Sequence, residues 1–195
     1  MNIAVDIDDT LNIVQRAKLA EAYIKRNHLP FEITDPYADK FVKVVNWREE
    51  DAIAFIRDGG MVVFTDAPVR KGAREALERW RAQGHNITIL TSRPKDWFIN
   101  PEAISRDWLQ KRKIPYDTLA AQIADKGTYC REHRIDVLVD NDVENCVAAQ
   151  QQGVAAVLAA GRHCMNRLSE VEFSASDWEG IERCVAEIAR RKGLI

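Results

Sequence analysis

The 195-residue sequence lacks an apolar run long enough to span a bilayer, and its start does not resemble a signal peptide. The first charged residue is Asp6, and no small-residue cleavage site follows an apolar segment. Basic residues are not in excess either, since 28 Lys and Arg against 30 Asp and Glu give a net charge of −2. We therefore expect neither a membrane nor a nucleic-acid polymer as a partner, while small anionic substrates stay open because local charge decides their binding.

Cysteine is scarce and scattered, and no two cysteines form a C-x-x-C pair. The four are Cys130, Cys146, Cys164 and Cys184. This spacing argues against a disulfide framework or a zinc site and predicts reduced thiols in a cytoplasmic protein. The adjacent pair His163-Cys164 is disfavoured as a metal site because it is the only nearby pair of ligand types.

The chain also lacks internal repeats, low-complexity tracts and flexible linkers, and its apolar fraction of 46% is sufficient for a core. The predicted strands are 3–7, 86–91, 118–121, 135–139 and 154–158. The predicted helices are 13–27, 48–57, 66–82, 100–112 and 177–190, with a short helix beginning near Lys126. Because strands and helices alternate, we predict an α/β fold with a Rossmann-like, doubly wound parallel sheet.

One stretch differs in composition from the rest of the chain. Residues 30–64 are rich in aromatics, and we predict a small helical insertion, 13–64, in a core formed by residues 1–12 and 65–195. The insertion follows the first strand directly and lies over the carboxyl edge of the sheet, where ligands bind in such folds. It is therefore a candidate lid.

Four polar segments stand at the predicted ends of elements: residues 6–10, residues 91–94, Lys126 and residues 140–142. The carboxyl ends of parallel strands meet at one edge, so the segments that follow strands are expected to converge. Three carboxylates after a buried strand are costly, because like charges repel and burial disfavours each anion. A cation or a phosphoryl group would relieve that cost.

Each segment also has a purely structural interpretation, as a turn, a helix cap or, for Lys126, a solvated surface lysine. Together, however, the segments fit phosphoryl transfer. Clustered carboxylates can hold Mg²⁺, and Thr91 and Lys126 can contact phosphate oxygens. An aspartate can attack phosphorus to form an aspartyl-phosphate. Their joint occurrence in this order favours the chemical interpretation.

This set of segments resembles the signature of the haloacid dehalogenase (HAD) superfamily of phosphohydrolases. That signature is D-x-D-x-T/V, an apolar strand ending in Thr or Ser, a Lys, and an acidic strand end. The corresponding segments here are Asp6-Ile7-Asp8-Asp9-Thr10, Ile87 to Thr91, Lys126, and Val137 to Asp140. The stretch Ile-Leu-Thr-Ser-Arg-Pro, with Ile114-Pro115-Tyr116-Asp117 downstream, is similar to the nucleotidase-type branch, including 5'(3')-deoxyribonucleotidases.

The resemblance implies a Mg²⁺-dependent phosphomonoesterase that acts through an aspartyl-phosphate on a small phosphorylated metabolite such as a nucleotide. It implies that Asp6 is the nucleophile and a metal ligand. Asp8 would be the general acid and base, with its main-chain carbonyl facing Mg²⁺. Thr91 would hold a phosphoryl oxygen, and Lys126 would neutralise the nucleophile and the phosphate. Asp140 would be the acidic metal ligand of the last motif.

The sequence departs from the family pattern at Asn141, because the family often has a second acid directly after the metal-binding aspartate. Asp142 or Glu144 is a candidate to take its place and hold a metal-bound water. If neither does, Mg²⁺ should bind more weakly, although the essential ligands remain.

The insertion 13–64 matches the position of the family's helical cap, which covers the leaving group and sets specificity. Its aromatic residues can stack on a base or form the insertion's own core, and its basic residues can meet an anionic substrate or solvent. Such aromatic residues more often form the core of their own unit, and such basic residues more often face solvent. The aromatic residues are Phe31, Phe41, Trp47 and Phe55, and the basic ones are Lys40, Lys43 and Arg48.

Other classes of protein compete with this interpretation. A receiver domain also clusters Asp, Thr and Lys on a doubly wound sheet, but its phosphorylated aspartate stands on the third strand. A non-catalytic phosphate-binding or regulatory protein has no need of an acid/base two residues from a nucleophile, so the pair Asp6 and Asp8 favours an enzyme. Among enzymes, a sugar- or lipid-phosphate phosphatase competes with a nucleotidase.

Overall fold

A computed structural model describes residues 1–194 and places six of their strands in one parallel sheet. The strands are β1 (Asn2–Val5), β2 (Asn86–Thr91), β3 (Thr118–Ala121), β4 (Val137–Asp140), β5 (Ala155–Ala159) and β6 (Phe173–Ala175). They lie in the order β3-β2-β1-β4-β5-β6 with every neighbouring pair parallel. The chain winds outward from β1 to β3 and then returns to β4 on the other side of β1. This order confirms the predicted doubly wound α/β sheet.

Helices connect the strands and cover both faces of the sheet. They are α1 (Arg16–Arg26), α2 (Phe41–Val44), α3 (Glu49–Phe55), α4 (Val62–Thr65), α5 (Ala73–Ala82), α6 (Pro101–Lys111), α7 (Lys126–Glu132), α8 (Val143–Gln151) and α9 (Trp178–Arg191). A 3₁₀ helix covers Arg162–Glu170. None of the helices within residues 1–194 combines the length and the apolar character that a bilayer crossing requires.

Successive side chains along β1 point to opposite faces of the sheet, and both faces are buried. Ile3 and Val5 belong to one apolar cluster, with residues of α5, α6 and α9, whereas Ala4 belongs to a second cluster with residues of α7 and α8. Side chains two apart on a strand point to the same face, so both faces of the central strand are covered. The sheet is therefore a rigid base for whatever stands at its carboxyl edge.

The insertion has an apolar cluster of its own. Its buried members come from residues 14–64, except for Phe98, and include most of the aromatic residues singled out above. The rings pack edge-on or tilted, as in Trp47 against Phe55 at 5.4 Å and Phe41 against Phe55 at 5.1 Å between centroids. Phe55 and Trp47 thus form core contacts, which was the commoner of their two alternatives. The division of the chain into a core and a cap stays a prediction.

The predicted helix at 66–82 is wrong at its start, since α5 begins only at Ala73. The backbone before it is used elsewhere, because Pro68 O accepts from Ile13 N at 2.9 Å and Arg70 N donates to Leu11 O at 2.8 Å. These bonds hold the chain extended, and α5 begins only after Gly72, whose φ is 85°. A long-range pairing here overrides the local helix-start signal of an acid followed by proline.

Two further differences lie at the sheet. The first strand was predicted to reach residue 7 but ends at Val5, because the chain leaves the sheet after Asp6 and forms a five-residue turn, Ile7–Leu11. The strand β6 and the 3₁₀ helix before it were missed. β6 has only three residues, too few for a period-two pattern to register. By contrast, β2 and β3 have the predicted bounds.

Candidate active site

A cavity of about 490 Å³ lies at the carboxyl edge of the sheet, under the insertion. We call it the edge cavity, and all five predicted site residues line it. Asp6 and Asp8 follow β1, Thr91 ends β2, Lys126 begins α7 and Asp140 ends β4. The structure therefore brings together every polar segment that was expected to converge, while the role of each residue stays a prediction.

The turn after β1 separates the side chains of three aspartates. Asp6 and Asp8 are both in the extended region, with ψ of 162° and 121°, and both line the edge cavity, as their spacing of two predicts. Asp9 follows in the left-handed region with φ 61°, and its carboxylate turns away to accept from Val14 N and to pair with Arg16. Two carboxylates thus face the cavity and one fixes the turn.

Lys126 joins two of the carboxylates. Its Nζ lies 2.6 Å from Asp6 Oδ1 and 2.7 Å from Asp140 Oδ2, and all three side chains are buried. Burial opposes the charge on Lys126, but Asp140 and Asp6 outweigh it and hold the lysine pKa above its ordinary value. Burial raises the pKa of Asp6 to about 7; Lys126 opposes this shift, and Asp140 and Asp8 add to it.

The two oxygens of Asp6 have different surroundings. Oδ1 accepts from Lys126, whereas Oδ2 accepts no hydrogen bond from any of residues 1–194. Asp140, by contrast, has both oxygens engaged, because Oδ1 accepts from Asp142 N at 2.9 Å and Oδ2 accepts from Lys126 and from Asn145 Nδ2. Asp140 is therefore fixed in place, and Asp6 presents one free carboxylate oxygen beside an ammonium group.

Asp8 has a partner that the sequence analysis did not identify. Arg93 donates from Nε to Asp8 Oδ2 at 2.8 Å and from a terminal nitrogen to Oδ1 at 2.7 Å, and Asn12 adds a bond to Oδ1 at 3.0 Å. Burial opposes the charge on Asp8, but Arg93 and Asn12 outweigh it and lower the pKa of that carboxyl. Arg93 stands in the Thr-Ser-Arg-Pro stretch already singled out, but nothing in that stretch indicated that its side chain reaches Asp8.

Arg93 is itself fixed from three sides. Its side chain is 2% exposed, donates to Ser105 Oγ at 3.1 Å and lies 5.5 Å from the ring of Phe64 and 5.7 Å from that of Phe98. Phe64 belongs to α4 of the insertion, and Phe98 packs against it at 4.9 Å between centroids. The guanidinium therefore links the insertion to the residue proposed as acid and base.

Thr91 is 1% exposed and lines the edge cavity with no side-chain hydrogen bond to the described chain. Its hydroxyl is free to donate to a phosphoryl oxygen. Asn141 also lines the cavity, and its Oδ1 accepts weakly from Thr10 Oγ1 at 3.4 Å. Thr10 of the first polar segment, 6–10, thus contacts Asn141 of the last polar segment, 140–142.

Of the two candidates for the missing second acid, only Asp142 lines the edge cavity. Asp142 lines the edge cavity and also caps α8 by accepting from Asn145 N at 3.2 Å. Burial, with Glu144 and Asp140 nearby, raises the pKa of Asp142 to about 6. Glu144 is outside the cavity lining and pairs with Arg167. Asp142 is therefore the better placed of the two.

The donor set fits Mg²⁺ in its chemistry. No group of three or more His, Cys, Asp or Glu side chains within residues 1–194 is arranged around one point. Mg²⁺, however, usually takes one or two carboxylates and completes its shell with water and substrate phosphate. Asp6 and Asp140 supply two carboxylates that already converge on Lys126, and Asp6 keeps one oxygen free.

The insertion supplies few of its predicted contacts to the edge cavity. Of its four aromatic residues singled out above, only Phe41 lines the cavity, and of its three basic residues only Lys40 does. Trp97 and Phe98, which lie outside the insertion, line it as well and were not predicted. They belong to a loop between β2 and α6, where no period of apolar residues marks them.

No protein-family model and no curated protein matches this chain. Solved structures do match it along nearly its full length. A predicted phosphatase from Clostridium acetobutylicum is 14% identical, with a TM-score of 0.68 over 95% of this chain and 98% of that one. A haloacid dehalogenase-like hydrolase from Streptococcus pneumoniae is 12% identical, with a TM-score of 0.67 over 95% and 97%.

A third match is a HAD family hydrolase from Deinococcus radiodurans, which was solved with bound phosphate and sodium. It is 12% identical, with a TM-score of 0.64 over 96% of each chain. Likeness at such low identity is a likeness of fold. The chain therefore has the fold of haloacid dehalogenase-like phosphatases and hydrolases.

Proposed function

We propose that the protein is a Mg²⁺-dependent phosphomonoesterase that acts through an aspartyl-phosphate on Asp6. The observation that carries this proposal is the Asp6 carboxylate, which Lys126 holds through Oδ1 and which is free of hydrogen bonds from the described chain at Oδ2. A free carboxylate oxygen beside a fixed ammonium suits attack on phosphorus, because the ammonium offsets the charge of the incoming phosphate. The fold shared with phosphatases supports this choice.

In the first half-reaction, Oδ2 of Asp6 attacks phosphorus and the bond from phosphorus to the leaving oxygen breaks. Asp8 gives its proton to that oxygen, so that an alcohol leaves. Thr91 donates to a phosphoryl oxygen, and Lys126 balances charge on Asp6 and on the phosphoryl group.

In the second half-reaction, the carboxylate of Asp8 takes a proton from water. The water oxygen attacks phosphorus, the bond from phosphorus to Asp6 Oδ2 breaks, and inorganic phosphate leaves. The pairing of Asp8 with Arg93 favours the carboxylate form that this second half-reaction needs. Substrate must weaken that pairing before Asp8 can carry a proton for the first half-reaction.

Asp6, Asp140 and the main-chain carbonyl of Asp8 would hold Mg²⁺, with Asp142 beside them. When bound, the ion supplies charge neutralisation at the phosphoryl oxygens. The two convergent carboxylates and the free oxygen of Asp6 support this assignment.

We propose a small phosphorylated metabolite as substrate, with a nucleotide as the first candidate. A volume of about 490 Å³ is within the usual range for small-molecule sites, and Phe41, Trp97 and Phe98 offer flat apolar surface. The insertion 13–64 would act as the cap over the leaving group. The four cysteines are free, which supports a reducing, cytoplasmic location.

The decisive experiment measures phosphate release from p-nitrophenyl phosphate and from nucleoside, sugar and lipid-headgroup monophosphates, with Mg²⁺ or EDTA. The Asp6→Asn variant is compared with Asp107→Asn, which removes an exposed carboxylate paired with Lys111. We expect release that needs Mg²⁺, is abolished in Asp6→Asn and is unchanged in Asp107→Asn, with both variants folded.

Turnover that persists in Asp6→Asn would overturn the aspartyl-phosphate mechanism. A preference for sugar or lipid-headgroup esters would keep the mechanism and replace the nucleotide. Phosphate binding in Mg²⁺ with no release from any ester would favour the non-catalytic binding protein instead.

A further inference from the structure

A second cavity, of about 320 Å³, lies beside the edge cavity and is lined by arginines. We call it the arginine pocket. Arg16 comes from α1 of the insertion, Arg70 from the extended segment before α5, and Arg162 from the segment after β5. The pocket is distinct from the site described above, with Arg16 as the residue common to both linings.

The arginine pocket has an excess of positive charge. Asp9 is the single carboxylate in its lining, and Arg16 already pairs with it, so three guanidinium groups face one carboxylate. Arg70 donates to two main-chain oxygens, Asp9 O at 2.9 Å and Ser176 O at 3.4 Å, which do not neutralise it. Arg162 has no carboxylate within salt-bridge distance in residues 1–194.

Tyr37 orients Arg162. The Arg162 guanidinium lies 4.4 Å from the centroid of the Tyr37 ring, although both residues are exposed. A guanidinium held by its face keeps its N–H edge available, and that edge matches the oxygens of phosphate in a bidentate pair. His163, which lines the same pocket, contacts Asn141 O through Nε2 at 3.1 Å.

We propose that the arginine pocket binds a small phosphate-bearing anion, either inorganic phosphate or the phosphate group of a small ester. Arg70 and Arg162 both line the pocket and neither pairs with a carboxylate of residues 1–194, so a phosphate anion bound there would offset their charge and accept charge-assisted hydrogen bonds. The pocket volume is at the lower end of the range for small-molecule sites, which suits a compact ligand.

The bound anion also joins two parts of the chain. Tyr37 and Arg16 belong to the insertion, and Arg70 and Arg162 belong to the part of the chain predicted as the core. Occupancy therefore ties residues 13–64 to the sheet edge beside the Asp9–Arg16 pair. This proposal concerns binding, and it stands whether or not the edge cavity hydrolyses esters.

Isothermal titration calorimetry with inorganic phosphate and, separately, with methyl phosphate tests the proposal on the full chain in EDTA. Without a cation the carboxylates of the edge cavity repel phosphate, so the arginine pocket is the site that fills. We expect saturable binding near one equivalent. The Arg162→Ala variant should bind on the order of tenfold or more weakly, because a charge-assisted pair is lost.

The matched control is Lys18→Ala, which removes an exposed cation from α1 outside the pocket and should leave binding within about twofold. Thermal unfolding shows that both variants fold. Binding of phosphate but not of methyl phosphate would assign the free anion as ligand, and equal binding would assign the shared phosphate group. No saturable binding in wild type, or the same affinity in Arg162→Ala, would overturn the proposal.

Discussion

Arg93 holds both carboxylate oxygens of Asp8, at 2.8 and 2.7 Å. The arginine is almost wholly buried, and its guanidinium rests against Phe64 of the insertion. The guanidinium of Arg93 thus orients Asp8, the residue proposed to transfer the proton. The face of the same guanidinium contacts the predicted cap. The position of the insertion and the position of Asp8 are physically connected through this one side chain.

We expect Arg93→Lys to lower kcat more than it changes KM. Lysine keeps the positive charge but cannot contact both oxygens of Asp8 in a plane, so the carboxylate loses its fixed orientation. The expected fall in kcat is on the order of tenfold to a hundredfold. Steady-state kinetics with p-nitrophenyl phosphate measures it. Arg57→Lys, at an exposed arginine that contacts Asp96 O, is the control; equal losses in the two variants would contradict the positioning role.

The Asp8→Asn variant should distinguish between leaving groups. Proton donation matters most when the leaving oxygen is basic, so hydrolysis of an alkyl phosphate should fall much further than that of p-nitrophenyl phosphate. The ratio of the two kcat/KM values, in wild type and in the variant, is the quantity to measure. Losses of the same size for both esters would show that Asp8 is not the acid.

The sequence predicted the convergence of the site because each signal stood at a strand end. Asp6, Thr91 and Asp140 each stand at or just after the end of a buried strand, and a parallel sheet brings such ends to one edge. Lys126 needed one more inference, that the short helix before β4 begins at this edge. For these positions local pattern and topology agree.

What the sequence did not predict depends on contacts between distant segments. Arg93 and Asp8 are 85 residues apart, and nothing local shows that this arginine points inward. Likewise, pairing of Leu11 with Arg70 keeps the segment before α5 extended despite its helix-start signal. Trp97 and Phe98 reach the edge cavity from a loop, where no periodicity reveals a buried side.

Asp142 and Glu144 should differ in their effect on the metal. Asp142→Asn is expected to raise the Mg²⁺ concentration for half-maximal activity by about tenfold to a hundredfold, since outer ligands tune affinity by that much. Glu144→Gln should change it little, because Glu144 pairs with Arg167 outside the edge cavity lining. Activity titrated with MgCl₂ gives both values. A larger shift in Glu144→Gln would reverse the assignment of the second acid.

The pairing of Asp8 with Arg93 should also appear in the pH dependence of stability. The pKa of Asp8 in the folded chain is below its ordinary value of 3.8, so the unfolded chain binds the proton at a higher pH. Ionised Asp8 therefore stabilises the fold above about pH 4, and this contribution is lost as the pH falls through the folded pKa. Wild type should exceed Asp8→Asn in its free energy of unfolding by about 3 kcal/mol at pH 7.

That difference should begin to shrink as the pH falls below about 4 and should vanish only below the folded pKa of Asp8, because protonated Asp8 and asparagine are both neutral beside Arg93. Urea unfolding in EDTA at several pH values, followed by circular dichroism, gives the free energies. Asp107→Asn, which breaks an exposed pair with Lys111, should differ from wild type by less than about 1 kcal/mol throughout. A difference between wild type and Asp8→Asn that stays constant with pH would mean that the ionised pair is not what stabilises this edge of the sheet.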